Sequence, residues 1–366
     1  MRFKIQRESL LKPLQLVSGV VERRQTLPVL ANVMLTADAQ GITLTGTDLE
    51  VELVARVKVE VEEGGETTLP ARKFLDICRT LPDQAMIEIN VEGERALVRS
   101  GRSRFTLSTL PAADFPAVEP MSAAKEFEIP QGSLRQLIER SHFAMAQQDV
   151  RYYLNGLMLE LAQGRLRAVA TDGHRLALCE TPVDLTVSGV QQVIVPRKGV
   201  AELMRLLDDS EEPAQVAIGT NHIKVTLPDI GFTSKLVDGR FPEYERVIPK
   251  DCDKTLHADR DALRQALTRT SILSNEKYRG VRMQLAAGVL RMMAHNPEQE
   301  EAEEEMEVEY SGSELEIGFN VTYLLDALGA ISADKVEMGF TNANSSCLIQ
   351  AVESTRCKYV VMPMRL

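Results

Sequence analysis

The stretch GRLRAVATDGHRLALCETPV (164–183) decides how the chain is read. Apolar residues alternate on both sides of Thr171-Asp172-Gly173, and Asp-Gly between alternating runs is a hairpin signal. The pattern returns in outline as GITLTGTDLEVELVARV (41–57) and GVLRMMAHNPEQEEAEEEMEVEY (288–310). Asp48, Asp172 and Asn296 fill the turn at spacings of 124 and 124. Two further features recur in the same order. Openings read FKIQRESLLKPL (3–14), FEIPQGSLRQLI (127–138) and LHADRDALRQAL (256–267). Later stretches read TLPARKFLDICRTL (68–81), IVPRKGVAELMRLL (194–207) and GFNVTYLLDALGAI (318–331), with Asp76, Glu202 and Asp326 spaced by 126 and 124. Three features in one order at near-constant spacing establish an internal repeat.

Each repeat predicts an extended opening, a helix, several strands, a second helix and more strands. Leu134, Leu137 and Ile138 carry the helical spacing, while Leu49, Val51 and Leu53 against Glu50 and Glu52 describe a sheet with one solvated face. Two helices packed on antiparallel sheets make an α+β fold. Three domains follow, 1–124, 125–252 and 253–366, in keeping with 366 residues at roughly 150 per domain.

Composition narrows the class. With 44% hydrophobic residues each domain can bury a core. Five cysteines (Cys78, Cys179, Cys252, Cys347, Cys357) without a C-x-x-C pair argue against a disulfide framework or a zinc site and for a reducing cytoplasm. MRFKIQRESL lacks the apolar core of a secretory signal, and no apolar run reaches the ~18 residues of a membrane span. A net charge of −11 opposes binding to nucleic acid unless charge is segregated in space. It is unevenly divided: the six helical stretches hold twelve Lys/Arg against eight Asp/Glu, a net of +4, which leaves −15 for the rest. Helices tolerate Lys and Arg anyway, and a helical face turned toward an anion is the other reading.

Chemistry is sparse. Neither phosphate-cradling glycine motif occurs, and His142, His174, His222, His257 and His295 are dispersed without metal-ligand spacing, so no cofactor and no metal are expected. Asp172, His174 and Arg175 stand close enough to suggest a hydrolytic site. The aspartate shares its turn role with Asp48, however, and no G-x-S-x-G elbow supplies a nucleophile, so catalysis is not expected. In NPEQEEAEEEMEVEY (296–310), Met306, Val308 and Tyr310 alternate with Glu305, Glu307 and Glu309, which describes a strand with an acidic face. Arg99, Arg102 and Arg104 offer the opposite charge, a candidate interface between the third repeat of one chain and the first of another. The apolar terminus KYVVMPMRL is either a packed tail or, with TDGHRL, a peptide-docking cleft.

At these residues the sequence resembles the family of bacterial DNA polymerase III β subunits, the sliding clamps. The resemblance covers the whole chain and rests on TLPVLANV, TGTDLE, LPARKF, RSGRSRFTLSTLPAADFP, QDVRYYLNG, ATDGHRLA, FTSKLVDGRFPEYERVIPK, SNEKYRGVR, NPEQEEAEE and YVVMPMRL. It implies a non-catalytic cytoplasmic processivity factor: a head-to-tail homodimer of three-domain chains closing a ring on double-stranded DNA without sequence preference. Helices would line the hole and sheets the rim, which fits the helical charge bias. Polymerase subunits, the clamp loader and repair factors would dock through short peptides. By the same resemblance the cleft between domains 2 and 3 comprises Leu154, Thr171, Gly173, His174, Arg175, Leu176, Pro242, Arg246, Val247, Val360 and Met362. A neighbouring groove uses Asn320, Tyr323, Ser346, Pro363, Met364 and Arg365. Arg175 and Arg365 would bond peptide carbonyls or carboxylates while apolar members hold leucine- or phenylalanine-type anchors.

DNA contacts implied in the same way are Arg24, Arg72, Lys73, Gln148, Tyr152, Tyr153, Arg197, Lys198, Asn275 and Tyr278. At the dimer interface, Phe105, Leu107, Ile272 and Leu273 form the apolar centre, and Lys73, Arg102 and Arg104 face Glu298, Glu300, Glu301 and Glu304. The rival to this reading is a peptide-binding scaffold that never encircles DNA.

Overall fold

The structure, a computed structural model, describes residues 1–21, 27–116, 121, 125–185 and 189–365. The first repeat runs β1 (Arg2–Gln6), α1 (Arg7–Ser18), β2 (Asn32–Asp38), β3 (Gly41–Thr47), β4 (Val51–Val57), β5 (Val61–Glu63), β6 (Gly65–Pro70), α2 (Ala71–Thr80), β7 (Met86–Glu92), β8 (Arg95–Ser100) and β9 (Ser103–Ser108). The second runs β10 (Lys125–Pro130), α3 (Gln131–Glu139), β11 (Gly156–Ala162), β12 (Arg165–Thr171), β13 (Arg175–Pro182), β14 (Gln191–Pro196), α4 (Arg197–Leu206), β15 (Pro213–Ile218), β16 (His222–Thr226) and β17 (Ile230–Lys235). The third runs β18 (Lys254–Asp259), α5 (Arg260–Ser271), β19 (Gly280–Ala286), β20 (Val289–His295), β21 (Glu301–Glu307), β22 (Glu309–Tyr310), β23 (Leu315–Asn320), α6 (Val321–Ala330), β24 (Lys335–Phe340), β25 (Cys347–Ala351) and β26 (Ser354–Val361). The order strand, helix, strands, helix, strands thus occurs three times, and every repeat is α+β.

Local chemistry explains the elements. In α2, Ala71, Phe74, Leu75 and Cys78 are buried at spacings of three and four, one apolar stripe facing inward. Asp259 caps α5 by accepting from the Ala262 amide at 2.7 Å, and Asn320 caps α6 by accepting from Thr322 at 2.9 Å. In β1 only Phe3 and Ile5 are buried, the period of two expected of a strand with one wet face.

The strands pair antiparallel, and the chain packs as two units that cut across the repeats. Unit one, Met1–Gly132 with Lys198–Leu236, contains the sheets β5-β1-β7-β8-β9 and β10-β15-β16-β17-β4-β3-β2-β6. Unit two, Ser133–Arg197 with Val237–Leu366, contains β14-β11-β12-β13-β26-β25-β24-β18-β22 and β21-β20-β19-β23. Sequence repeat and packing unit differ because a sheet crosses a repeat boundary in each unit. In unit one β17 pairs with β4, Phe232 opposite Leu53; in unit two β26 pairs with β13, Tyr359 opposite Ala177.

The hairpin of the second repeat has the geometry its sequence announces. Thr171 Oγ1 donates to the Arg175 carbonyl at 2.6 Å and accepts from the Gly173 amide at 3.1 Å. Asp172 Oδ1 accepts from the amides of His174 and Arg175 at 2.9 and 3.0 Å. In the first repeat Thr47 and Asp48 make the same four bonds around Leu49, Glu50 and Val51. Such side-chain-to-backbone bonds are why Thr and Asp recur there. Leu49 and Gly173 occupy the same left-handed position, φ 78° and 89°. Only the glycine leaves room for Arg151, whose Nη2 lies 3.1 Å from where a Cβ would stand.

One covalent feature departs from the reading of the cysteines: Cys179 on β13 and Cys357 on β26 are joined by a disulfide. Counting cysteines and local spacings could not show a pair 178 residues apart that the ladder brings face to face. Cys78, Cys252 and Cys347 are free.

Candidate functional site

A cleft opens in unit two where β12 and β26 end and β13 begins. The ladder places Leu176 opposite both Thr171 and Val360, and Arg175 opposite Val361. Beyond β26 the Met362 amide donates to the His174 carbonyl at 2.9 Å, carrying the terminal segment across the hairpin. The Met364 amide donates to Gly318 O at 2.9 Å, so the apolar terminus is tied down as well as exposed in part. The resulting cleft, about 170 Å³, is lined by Leu154, Thr171, Gly173, Arg175, Leu176, Pro242, Val247, Val360 and Met362, joined by Arg151, Glu243 and Tyr244. Its floor is a buried cluster of Met158, Val169, Leu176, Leu178, Ile194, Phe241, Tyr244 and Val360. Such a cleft suits one apolar anchor side chain ringed by a few polar groups.

The polar rim is held from behind. Tyr244 Oη donates to Glu160 Oε2 at 2.9 Å and accepts from Arg167 Nη1 at 2.7 Å, and Gln192 Nε2 donates to the same Glu160 oxygen at 2.8 Å. Burial pushes the Tyr244 hydroxyl up to about 12, so it stays protonated and keeps donating to this buried carboxylate. At the mouth, Arg151 clamps Asp149 through Nε and Nη2 at 3.0 and 2.8 Å, and those bonds hold the Asp149 carboxyl down at about 2.

Arg175 has a different part from the one the sequence suggests. Its Nε bonds Asp172 at 3.1 Å, Nη1 bonds Asp326 on α6, and Nη2 bonds the Phe143 carbonyl at 2.9 Å. The guanidinium also lies over the rings of Tyr323 and Phe143, 4.5 and 5.4 Å from their centroids. It lines the cleft as a pin between hairpin and helix rather than as a free donor. Neither His174 nor Arg246 lines the cleft: His174 is exposed at the tip of the turn, and Arg246 pairs with Glu243 at 2.5 Å. The sequence reading does not include Arg151, Glu243 and Tyr244, although Arg151 adjoins Tyr152, Glu243 adjoins Pro242, and Tyr244 lies between Pro242 and Arg246.

A second cavity, about 600 Å³, gathers Met364 and Arg365 with Asn275, Tyr278, Gly280, Arg282 and His295. Of the groove that the resemblance implies beside the cleft, only Met364 and Arg365 line this cavity; Asn320, Tyr323, Ser346 and Pro363 do not. Asn320 is occupied in capping α6, and Tyr323 stacks on Arg175. Among the described residues no cluster of three or more His, Cys, Asp or Glu could hold a metal, and no helix is long and apolar enough to cross a membrane.

Three family models match in chain order: the N-terminal, central and C-terminal domains of the DNA polymerase III beta subunit, over residues 1–119, 128–243 and 245–365. The chain belongs to that family. It is 60% identical to the Beta sliding clamp of Pseudomonas putida and 56% identical to that of Escherichia coli, in both cases over 367 residues covering 100% of each chain. The crystal structure of the DNA polymerase III subunit beta from Pseudomonas aeruginosa matches with a TM-score of 0.97 at 58% identity over 100% of both chains. A clamp from the same organism bound to griselimycin matches at 0.96 and 58%, again over 100% of both. Its function is that of a DNA sliding clamp, a non-catalytic replication subunit and not an enzyme. Asp172, His174 and Arg175 accordingly build a turn and a pin.

Within this family fold, the residues expected to meet DNA are scattered in state. Arg24 lies outside the described residues. Arg72 and Lys73 are exposed on α2, with Arg72 3.7 Å from Asp76. Gln148 is exposed, Tyr152 is 59% exposed, and Tyr153 stacks edge-on against it. Lys198 is paired with Asp48 of the first hairpin, whose side chain is 4% exposed. Arg197 donates to the Met145 carbonyl at 3.3 Å. Asn275 holds its own turn by accepting from Lys277 and Tyr278 at 2.9 and 3.1 Å.

Of the residues expected at the dimer interface, Lys73, Arg102, Arg104, Glu298, Glu300 and Glu301 are exposed, Leu107 is buried, and Phe105 and Leu273 are half-buried. Ile272 is 73% exposed, an unusual state for isoleucine. Glu304 is engaged within its own chain: Arg269 grips it at 2.7 and 2.9 Å and holds its carboxyl below the usual range.

Proposed function

We propose that two copies of the chain close head to tail around duplex DNA by pairing β21 of each with β9 of the other, and that short peptides of replication and repair proteins dock in the cleft of unit two. The observation that carries the ring is an aromatic residue at one position in three repeats. Phe105, Phe232 and Tyr359 stand 127 residues apart, each in its repeat's last strand. Phe232 lies under Leu53 of β4 and Tyr359 under Ala177 of β13, and both are 1% exposed. Phe105 is only half-buried, because β9 is the outermost strand of its sheet. The strand corresponding to β4 and β13 is β21, also outermost.

Open edges of this kind recruit another chain, and a heterologous contact closes a ring when its rotation allows. The register carries over directly. The first two hairpins pair Thr47 with Glu52 and Thr171 with Leu176; the third, one residue longer, pairs His295 with Glu301. Ala302 then falls opposite Phe105, Glu303 opposite Arg104, and Glu300 opposite Leu107. The end of α1 supports the same seam: in unit one Arg205 of α4 donates to Leu16 O at 3.0 Å, and the matching end of α5 carries exposed Ile272.

Topology, not affinity, would then retain the ring on DNA, with Arg72, Lys73, Gln148, Tyr152 and Tyr153 making weak phosphate contacts and an acidic body discouraging static binding. The recurring element order supports three clamp domains, 1–124, 125–252 and 253–366, in a cytoplasmic protein. Retention tests the reading. Protein loaded on nicked circular DNA by the matching loader should survive a high-salt wash and fall off once the circle is cut. Equal loss from circle and line in salt would leave the peptide-binding scaffold as the better account.

A further inference from the structure

We propose that Cys179 and Cys357 form a reversible thiol–disulfide site that staples β13 to β26 and exchanges with small disulfides and thiols of the glutathione class. The two residues are directly opposed in the antiparallel ladder, their Cα atoms 4.1 Å apart. The bond ties the second repeat to the third at a seam otherwise held by ladder hydrogen bonds, side-chain packing and the Arg175–Asp326 ion pair. Packing does not call for sulfur there. In the matching seam of unit one the same two positions are Ala55 and Ile230.

Of the free cysteines Cys252 is half-buried and has no second cysteine paired with it in a ladder, while Cys78 and Cys347 differ in kind. Cys78 is 0% exposed and burial pushes its thiol up to about 12; Cys347 is also buried and raised by burial. A thiol so rarely ionised is a poor nucleophile. The Cys179–Cys357 pair instead borders a cavity of about 390 Å³, shared with Arg140, Glu180, Thr181 and Arg356. Cys179 is 1% exposed and Cys357 half-buried, which makes Cys357 the sulfur an incoming reagent meets and Cys179 the resolving thiol.

The exchange balances in two displacements. The Cys357 thiolate attacks one sulfur of a small disulfide, forming a mixed disulfide and releasing one thiolate. The Cys179 thiolate then attacks the Cys357 sulfur and expels the second. Two protein thiols are oxidised to one disulfide, the reagent is reduced to two thiols, and the two protons pass to the leaving thiolates through solvent. Excess thiol runs the sequence backward. A cytoplasm rich in reduced glutathione would keep the staple open except under oxidative load.

The test uses the full chain and no knowledge of its partners. It is treated with oxidised glutathione, then with excess dithiothreitol, and after each step denatured, alkylated and weighed, while hydrogen exchange is followed along β13 and β26. Three alkylated thiols should appear after oxidant and five after reductant, over repeated cycles. Amides flanking both cysteines should exchange about tenfold more slowly in the oxidised state, and Cys357→Ser should abolish that difference. Five thiols in both states, a lasting glutathione adduct on Cys357 with Cys179 still free, or identical exchange in both states would each overturn the staple. The redox cycle on the native chain decides the matter even if the variant folds poorly.

Discussion

Arg175 on β13 is bonded to Asp326 on α6, tying the hairpin of the second repeat to the second helix of the third. Unit one holds the counterpart, with Lys198 at the start of α4 bonded to Asp48 in the hairpin of the first repeat. Each joins a repeat's hairpin to the next repeat's second helix, beside a strand pair that continues the sheet across the same boundary. The chemistry is not copied, since the cation sits on the hairpin in one case and on the helix in the other. The residue positions are not copied either, since the 124-residue spacing matches Arg175 and Asp326 to Val51 and Glu202; what repeats is the pair of elements joined, with side chains fitted separately.

Lys198 therefore acts first on stability. Lys198→Ala leaves the Asp48 carboxylate, 4% exposed, without its cation. Stranding a buried charge costs up to about 3–5 kcal/mol, and water reaching the partly exposed lysine site reduces that to about 1–3 kcal/mol. A urea titration should show the loss as a lower midpoint, and Asp48→Asn in the Lys198→Met background should recover most of it. The salt slope of DNA binding should stay as it is in the native protein, since losing one phosphate contact would lower it by about 1. A fall of about 1 with unchanged stability would return Lys198 to the DNA-contacting residues.

In the cleft, Met362→Ala and His174→Ala separate lining from proximity. Met362 lines the cavity and His174 does not, although the His174 carbonyl anchors the Met362 amide. Truncating Met362 should weaken binding of a peptide with leucine and phenylalanine anchors by about 1–3 kcal/mol. Removing the His174 ring, which keeps that carbonyl, should cost under about 0.5 kcal/mol. Calorimetric titration of both variants with one peptide gives the comparison, and a larger loss at His174 would refute the lining as drawn.

What the sequence disclosed follows from the range of the forces involved. The hairpins were legible because Thr and Asp bond amides two and three residues on, so the signal is local and repeats every 124 residues. Lys198–Asp48 and Arg175–Asp326 were not legible: their partners lie 150 and 151 residues away and charge alone names no partner. For the cleft, resemblance supplied the apolar wall together with His174 and Arg246, which stand outside the lining of this cavity. Tyr244 was passed over because its role depends on buried Glu160 and on Arg167, both on other strands. The cysteine pair was hidden for the same reason, being adjacent only in the ladder.

Acid should leave the cleft mouth intact longer than ordinary aspartate chemistry allows. The Arg151 bonds hold the Asp149 carboxyl at about 2 against an ordinary 3.8. A depressed folded pKa contributes stability that is present above 3.8 and is lost as pH falls through about 2. Carbon-detected NMR of the Asp149 carboxyl should give a midpoint near 2, and Arg151→Ala should raise it toward the usual range. An unmoved midpoint in that variant would show that backbone bonds, not the guanidinium, set it.

The register of the proposed ring contact can be tested by exchanging charge across it. Arg104 on β9 and Glu303 on β21 are exposed, and the proposed pairing would set them opposite each other between copies. Glu303 already has Arg291 at 3.1 Å within its own chain, so the pair joins a small network instead of starting one. Arg104→Glu faces a carboxylate with a carboxylate and should raise the dimer dissociation constant about tenfold or more; Glu303→Arg should do likewise against Arg104. The double exchange should restore much of the lost affinity, since the pair is opposite in sign again. Sedimentation equilibrium at low and high salt reads all four proteins, and the native dimer should loosen as salt screens the exposed charges. If the double exchange associates no better than either single one, the two residues do not meet, and the register carried over from the internal seams is wrong.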